Sequence, residues 1–298
     1  MADSWKRAVR KGEWLEFTLP AEFVAEPERF LLERIRIPRG LLNRWQAEQC
    51  IRRAGSRLRL RLFPCEAPQF APEYWPVGIL YEDDFCLVAD KPAGMPVHPT
   101  HPGRTATLAN AVAFHYQATG QMCRIRHIHR LDADTTGPVL YAKQEQAHAV
   151  LDEAMRNRRI GRTYIAVVSG RMKNRKGTID LPIGKDRHHK GRRRVSATGD
   201  PAVTHYEVAE RRDNATLVRL RLETGRTHQI RVHLSHIGHP IYGDALYGGP
   251  AGFIGRQALH CETLRFPHPW TGEMIEVASP WPDDLRTLAE KLFQHRRL

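Results

Sequence analysis

An α+β catalytic domain over residues 76–298, preceded by a small basic module over residues 1–75, is the architecture this sequence predicts. Three observations carry that reading. The chain has 298 residues and 41% apolar content, enough for one large core plus an appended module. Strand-like alternation and helix-like periodicity interleave from Val77 onward. Between the two parts runs Pro64–Pro76, which holds four prolines and reads as a linker.

The elements follow in order. In the first part, Glu28–Leu32 leads into an arginine-dense stretch in which the pattern predicts a helix around Gly40–Arg53. Ser56–Leu62 alternates basic and apolar residues as a half-buried strand does. Past the linker, Phe85–Ala89 is an apolar run of strand length. Ala147, Val150, Leu151, Ala154 and Met155 fall on one helical face. Thr163–Val168 is rich in β-formers. In Leu217–Leu222 the apolar Val218, Leu220 and Leu222 point one way, and Arg219 and Arg221 the other. Ile230, Leu234 and Ile237 recur at helical spacing, with Gly238 as the stop. The basic run Lys185–Arg194, without apolar periodicity, predicts an exposed loop and a candidate phosphate contact.

Charge narrows the partners. Forty-six Lys and Arg against thirty-three Asp and Glu give a net +13, an excess that draws polyanions, nucleic acid first among them. Five scattered cysteines without a C-x-x-C pair argue against a disulfide framework and a thiolate zinc site. The N-terminus lacks an apolar signal core, and no stretch approaches the eighteen apolar residues of a membrane helix. A cytoplasmic chain without membrane contact, monomeric by default, is the expectation.

Two segments carry the chemistry. His127–Lys143 (HIHRLDADTTGPVLYAK) sets Asp132 after Arg130 and Leu131, then returns through small hydroxyl residues and Gly137 into an apolar run, a tight turn entering a strand. Read by itself it is first of all a polar turn capped by Asp and Thr side chains. Leu222–Gly249 holds His228, His233, His236 and His239, but without an H-E-x-x-H pair and with no shared helical face, so no metal site is expected. Arg231 borders the apolar stripe. A partly buried guanidinium needs a carboxylate for its fork, and Asp132 is the expected partner.

His129–Gly137 (HRLDADTTG) resembles the signature of the RluA-type pseudouridine synthases, with Asp132 at the place of their essential aspartate. The likeness continues in family order through Ile79–Pro99 with its Lys91-Pro turn, Arg162–Gly170, Pro201–Val208, Gly225–Gly248 and Ala258–Glu273, spanning about residues 78–285. Cys261 stands where alanine is usual, Thr136 where serine is frequent, and Pro138 where an aliphatic residue is common; none of these removes a reactive group. The first 75 residues resemble a degenerate S4-type RNA-binding module, a basic cap on the catalytic domain being the other reading. The resemblance implies a pseudouridine synthase fold: a mixed, mostly antiparallel sheet with flanking helices and a central catalytic cleft. It implies isomerisation of specific uridines in structured ribosomal or transfer RNA, without cofactor or metal.

Site residues follow from the same resemblance. Asp132 acts as nucleophile or base, Arg231 as its ion-pair partner, and Tyr164 as the ring against the target base. Arg130 fills the space the extruded uridine leaves. His129, Lys91, Arg226, His228, Lys185, Arg192, Arg193 and Arg194 are expected RNA contacts. The competing readings are an RNA-binding protein without catalysis and a metal-dependent nuclease. The first is opposed by the retained Asp132 and Arg231, the second by the histidine spacing.

Overall fold

Alternation and capping set the elements before any tertiary contact does. The computed structural model describes residues 4–101 and 103–293; the last residues of the expected catalytic domain, 294–298, lie outside the described ones. The first part contains β1 (Val9–Lys11), β2 (Trp14–Thr18), α1 (Pro27–Glu33), α2 (Arg39–Ala47), β3 (Ile51–Ala54) and β4 (Arg57–Leu60), with sheet order β1-β2-β4-β3. The expected helix around Gly40–Arg53 stops at Ala47. Gln49 takes φ +55°, and Ile51–Ala54 becomes a strand paired with β4 across a two-residue turn at Gly55, φ +61°. The predicted alternation of Ser56–Leu62 holds, with Leu58 and Leu60 buried and Arg57 exposed.

The remainder comprises β5 (Gly78–Glu82), β6 (Cys86–Lys91), α3 (Leu108–Ala118), β7 (Arg126–His127), β8 (Gly137–Ala142), α4 (Glu145–Arg156), β9 (Gly161–Ser169), β10 (Lys176–Asp180), β11 (Ile183–Lys185), β12 (Arg193–Val195), β13 (Val203–Arg211), β14 (Ala215–Leu222), α5 (Gln229–His236), β15 (Leu259–Pro267), β16 (Met274–Ala278) and α6 (Asp283–Phe293). Two antiparallel sheets dominate, β5-β6-β8-β7 and β10-β13-β14-β9-β15-β16. In β14 the expected split appears: Val218 and Leu220 are buried, Arg219 and Arg221 exposed. Helix α4 is capped by the Gln144 side chain, which accepts from the Ala147 amide at 3.0 Å, and buries Ala147, Val150, Leu151 and Ala154. Helix α5 ends as expected before Gly238, φ +84°.

Pro64–Pro76 has no regular structure, yet it is strapped down. Ala71 O accepts from Asn110 Nδ2 at 2.8 Å, and Glu73 Oε2 from the Ala106 amide at 2.7 Å. The expected loop Lys185–Arg194 is instead the tip of a hairpin, in which Ile183 pairs with Val195 and Lys185 with Arg193. The apolar residues that frame the basic run supply the pairing that the run itself does not suggest.

One main core lies among the two large sheets and α3, and a second joins the N-terminal sheet to β6, β8, α4 and Trp270. The sheets meet where β8 begins. Thr136 bridges His260, and the Cys261 amide donates to Thr136 O at 2.8 Å. Gly137 sits there at φ +121° with the Cys261 backbone directly where a Cβ would project, so only glycine fits. Pro138, next along, has no partner in the short β7, which pairs only Tyr141 and Ala142.

Candidate active site

The segment after Asp132 is held at every residue. The Thr135 amide donates to Asp132 O at 3.1 Å, closing the turn. Lys91 Nζ donates to Ala133 O at 2.5 Å. Arg256 Nη1 reaches Asp134 O at 3.1 Å, and the Gly94 amide reaches the Asp134 carboxylate, also at 3.1 Å. Gln257 Nε2 donates to Thr135 Oγ1 at 3.2 Å, and Thr136 Oγ1 lies 2.9 Å from His260 Nδ1. A carboxylate on such a loop is fixed by its supports, as a preorganised site requires. The Thr side chains bond outward to β15 and its approach instead of capping their own turn.

Arg231, nine-tenths buried on α5, touches Asp132 Oδ2 through Nη1 at 3.3 Å, so the expected pair exists. Its fork, however, belongs to Asp244: Nε to Oδ2 at 2.7 Å and Nη2 to Oδ1 at 2.8 Å. Burial works against the Arg231 charge, and the Asp244 bonds more than offset it, raising its pKa. Asp132 therefore receives the remaining arm of a guanidinium locked elsewhere. Its side chain is 25% exposed, less dry than a fully shielded acid. His228 Nε2 stands 3.9 Å from the same oxygen. His228 occupies the N-cap of α5 at φ 59°, and burial disfavours its protonation. Tyr247 joins these groups, with its hydroxyl 2.9 Å from His228 Nδ1 and its ring 5.0 Å from the Arg231 guanidinium.

Tyr164, buried on β9, lines a small inner pocket together with Asp132, Arg130, Arg162 and His228. Burial raises its phenol pKa, so the ring is neutral. Outside this pocket opens a cleft of about 710 Å³, lined by Arg104, Arg130, Arg162, Arg226 and Arg231 as well as by His98 and His127, stacked 4.6 Å apart. Arg130 is exposed and lines both spaces. Arg226 is exposed beside them, donating through Nε to Pro201 O at 3.1 Å. Lys185, Arg192 and Arg194 are exposed on the β11–β12 hairpin. Arg193 is half-buried there, and its amide donates to the Tyr247 hydroxyl at 2.9 Å.

Two expected RNA contacts, Lys91 and His129, are buried. Lys91 is 1% exposed, and its ammonium donates to Pro92 O, Met95 O and Ala133 O, leaving no N–H for RNA. Its place is a support of the Asp132 loop. Burial, opposed by Asp134 and Asp132, holds its pKa down to about 7. His129 is 4% exposed in the cleft wall, and its Nε2 accepts from the Leu140 amide at 3.3 Å. Among the described residues no group of three or more His, Cys, Asp or Glu could hold a metal ion; His233, for one, bonds Thr204 and Leu181 O.

Sequence reasoning passed over Asp244 and Tyr247, both inside the GDALYG run. The signal for Asp244 was available: a fork-shaped cation prefers a bidentate carboxylate, and Asp244 is the single acid in the Gly225–Gly248 segment that carries Arg231.

A half-open carboxylate at the floor of an arginine-lined cleft defines an enzyme site suited to a polyanionic substrate. Comparison with known proteins gives the family. The family model for RNA pseudouridylate synthase matches residues 85–236. The chain is 47% identical over 241 residues to the uncharacterized RNA pseudouridine synthase YhcT of Bacillus subtilis, covering 80% of each chain. It is 46% identical over 231 residues to the ribosomal large subunit pseudouridine synthase D of Vibrio vulnificus, covering 73% of this chain and 71% of the relative. Among solved structures, human RNA pseudouridylate synthase domain containing 4 superposes with a TM-score of 0.60 at 25% identity, covering 72% of this chain and 92% of that one. Human RNA pseudouridylate synthase domain containing 1 gives 0.57 at 28%, covering 69% and 84%. The chain belongs to the RNA pseudouridine synthase family, isomerases that convert uridine in RNA to pseudouridine.

Proposed function

We propose that this enzyme isomerises a uridine of structured ribosomal RNA, with Asp132 as the essential carboxylate. The observation that carries the role is the Asp132–Arg231–Asp244 chain: the guanidinium is fixed by the buried acid and lends one arm to the half-open one. An ionised carboxylate so held serves as nucleophile toward C1′ or as base toward a glycal. In either route the glycosidic C–N bond breaks, the uracil turns, and C5 bonds to C1′ while its proton leaves. Tyr164 forms the wall against the base, a stacking contact worth about 1–3 kcal/mol. Arg130, at the mouth of both spaces, takes the place of the extruded base in its stack. Arg226, His228 and the cations of the β11–β12 hairpin hold the surrounding backbone. Of ribosomal and transfer RNA, the ribosomal choice is supported by relatives named for the large subunit. The N-terminal sheet adds a second basic surface, where Arg52 and Arg59 lie over Trp14 at 4.4 and 5.4 Å. The enzyme is read as a cytoplasmic monomer; among the described residues no helix is long and apolar enough to cross a membrane.

The test is Asp132→Asn, nearly isosteric. It should abolish turnover and leave RNA affinity within a few-fold. Carbodiimide mapping of pseudouridines in ribosomal RNA from cells with and without the gene should show a missing site. Turnover by the variant sinks the role of Asp132, and an unchanged ribosomal map sinks the substrate.

A further inference from the structure

Three arginines are nine-tenths buried among the described residues: Arg162, Arg231 and Arg256. Two of them fork onto a carboxylate, Arg231 onto Asp244 and Arg256 onto Asp284 at 2.7 and 2.8 Å. Arg162 forks onto none. Among the described residues no carboxylate pairs with it, and its buried Nε has no hydrogen-bond partner. Its neighbours are the Tyr164 hydroxyl and Gly225, whose Cα leaves room for the guanidinium: a Cβ there would sit 3.3 Å from Nη2. A buried cation that meets a neutral hydroxyl and no carboxylate is costly, and a ligand that supplies the anion offsets that cost.

A second unsatisfied donor stands beside it. His129 Nε2 accepts from the Leu140 amide, so the proton of the neutral ring is on Nδ1, and that buried Nδ1 has no partner either. Arg162 is near enough to His129 to add to the burial that keeps the ring neutral. Both residues line the large cleft, and Arg162 also lines the inner pocket of Asp132 and Tyr164, whereas His129 does not. Their shared acceptor therefore lies outside the base pocket, along the path of the sugar–phosphate chain.

We propose that Arg162 and His129 form a phosphate-binding pair that grips the backbone of the extruded nucleotide at the throat of the Asp132 pocket. The inference rests on Asp132's pocket being the reacting site. A phosphate, unlike a uracil carbonyl, brings the full charge that a buried guanidinium lacks and matches its fork.

The experiment uses the full-length enzyme and an RNA transcript bearing a uridine that the wild-type protein converts. Binding is measured at equilibrium and turnover separately, so failure of Asp132 as the reacting group shows in turnover of Asp132→Asn and leaves the binding readout intact. Arg162→Gln should weaken binding roughly 10–100-fold. The slope of log K against log salt should flatten by about 0.7–0.9, the loss of one phosphate contact. A neutral methylphosphonate at the target nucleotide should weaken the wild type and add little to Arg162→Gln. The melting temperature of Arg162→Gln should stay close to that of the wild type, because no carboxylate partner is lost and only the contact with the neutral Tyr164 hydroxyl goes. Arg162→Lys, which keeps the charge but not the fork, should restore the salt slope and only part of the affinity. His129→Ala should lose several-fold in affinity without changing the slope. An unchanged slope in Arg162→Gln, or an equal methylphosphonate penalty in both proteins, overturns the phosphate assignment. A large fall in melting temperature with unchanged affinity makes Arg162 a structural residue instead.

Discussion

The regions around Asp83 and Asp132 are assembled from the same kinds of parts, and their side chains are equally exposed, 26% and 25%. What differs is how many bonds each acid already makes. Asp83 Oδ1 accepts from the Phe85 and Cys86 amides at 2.7 and 2.8 Å, and Oδ2 meets the Tyr81 hydroxyl at 2.7 Å and His268 Nε2 at 2.8 Å. Asp132 has one guanidinium arm at 3.3 Å and an imidazole at 3.9 Å. Asp83 is saturated and ties the β5–β6 turn to the β15–β16 turn. Asp132 keeps lone pairs to spare on a loop that is itself immobilised. Unspent bonding capacity on a rigid support, more than burial, separates the acid proposed to react from the structural one.

The sharpest way to break that comparison is through the support. Asp244→Asn should leave Arg231 buried without its bidentate partner, costing about 3–5 kcal/mol of stability. Turnover should fall on the order of 10²-fold or more, since a small misplacement of the arm on Asp132 suffices. Chemical denaturation and single-turnover kinetics read the two effects. An enzyme with normal turnover would show that Asp132 does not depend on the locked guanidinium.

Asp83→Asn should produce the opposite division, with stability lost and turnover kept. Burial tends to raise the Asp83 pKa, but the bonds from His268, Tyr81 and Cys86 overcome it and hold it near about 2, below the ordinary 3.8. A depressed carboxylate pKa contributes stability that is complete above the unfolded value and is lost as pH falls through the folded one. The wild type should therefore lose about 2 kcal/mol between roughly pH 4 and pH 2 that the variant never had. Urea midpoints across that range test the sign. A variant as acid-sensitive as the wild type means Asp83 is not the saturated acid described here.

How far the sequence could be read depends on the range of the interaction. The alternation of Val218 and Leu220 with Arg219 and Arg221, the helical stripe of α4, and the Asp132 turn were legible because neighbouring residues determine them. The Gly40–Arg53 helix was misjudged because the turn at Gly55 and pairing with β4 outweigh local propensity after Ala47. Lys91 is expected as an RNA contact because nothing within its own segment shows that Ala133, forty-two positions on, offers it a carbonyl. The Asp132–Arg231 contact was foreseen, but not that Asp244 owns the fork. Arg162 shows the same limit, since its lack of a carboxylate among the described residues is something only coordinates reveal.

The smallest effect tests how the hairpin reports to the cleft. The Tyr247 hydroxyl accepts from the Arg193 amide and pairs with His228 Nδ1, both at 2.9 Å, and the Asp132 carboxylate facing His228 Nε2 favours the arrangement in which the hydroxyl donates to Nδ1. With Nδ1 accepting, the neutral imidazole carries its own proton on Nε2, the nitrogen that faces Asp132. The basic β11–β12 hairpin is thus wired to the tautomer of a ring beside Asp132. Tyr247→Phe keeps the ring under Arg231 and removes only the hydroxyl. Stability should fall by about 1 kcal/mol, the worth of a typical hydrogen bond. Amide exchange at Arg193 should quicken, and KM should rise a few-fold with a smaller change in kcat, because the hairpin loosens while Asp132 and Arg231 stay in place. ¹⁵N shifts of His228 would show Nδ1 and Nε2 sharing the proton. If Arg193 stays protected and the imidazole keeps one tautomer, the hairpin and the cleft are independent, and the saturated region teaches nothing about how the open one is controlled.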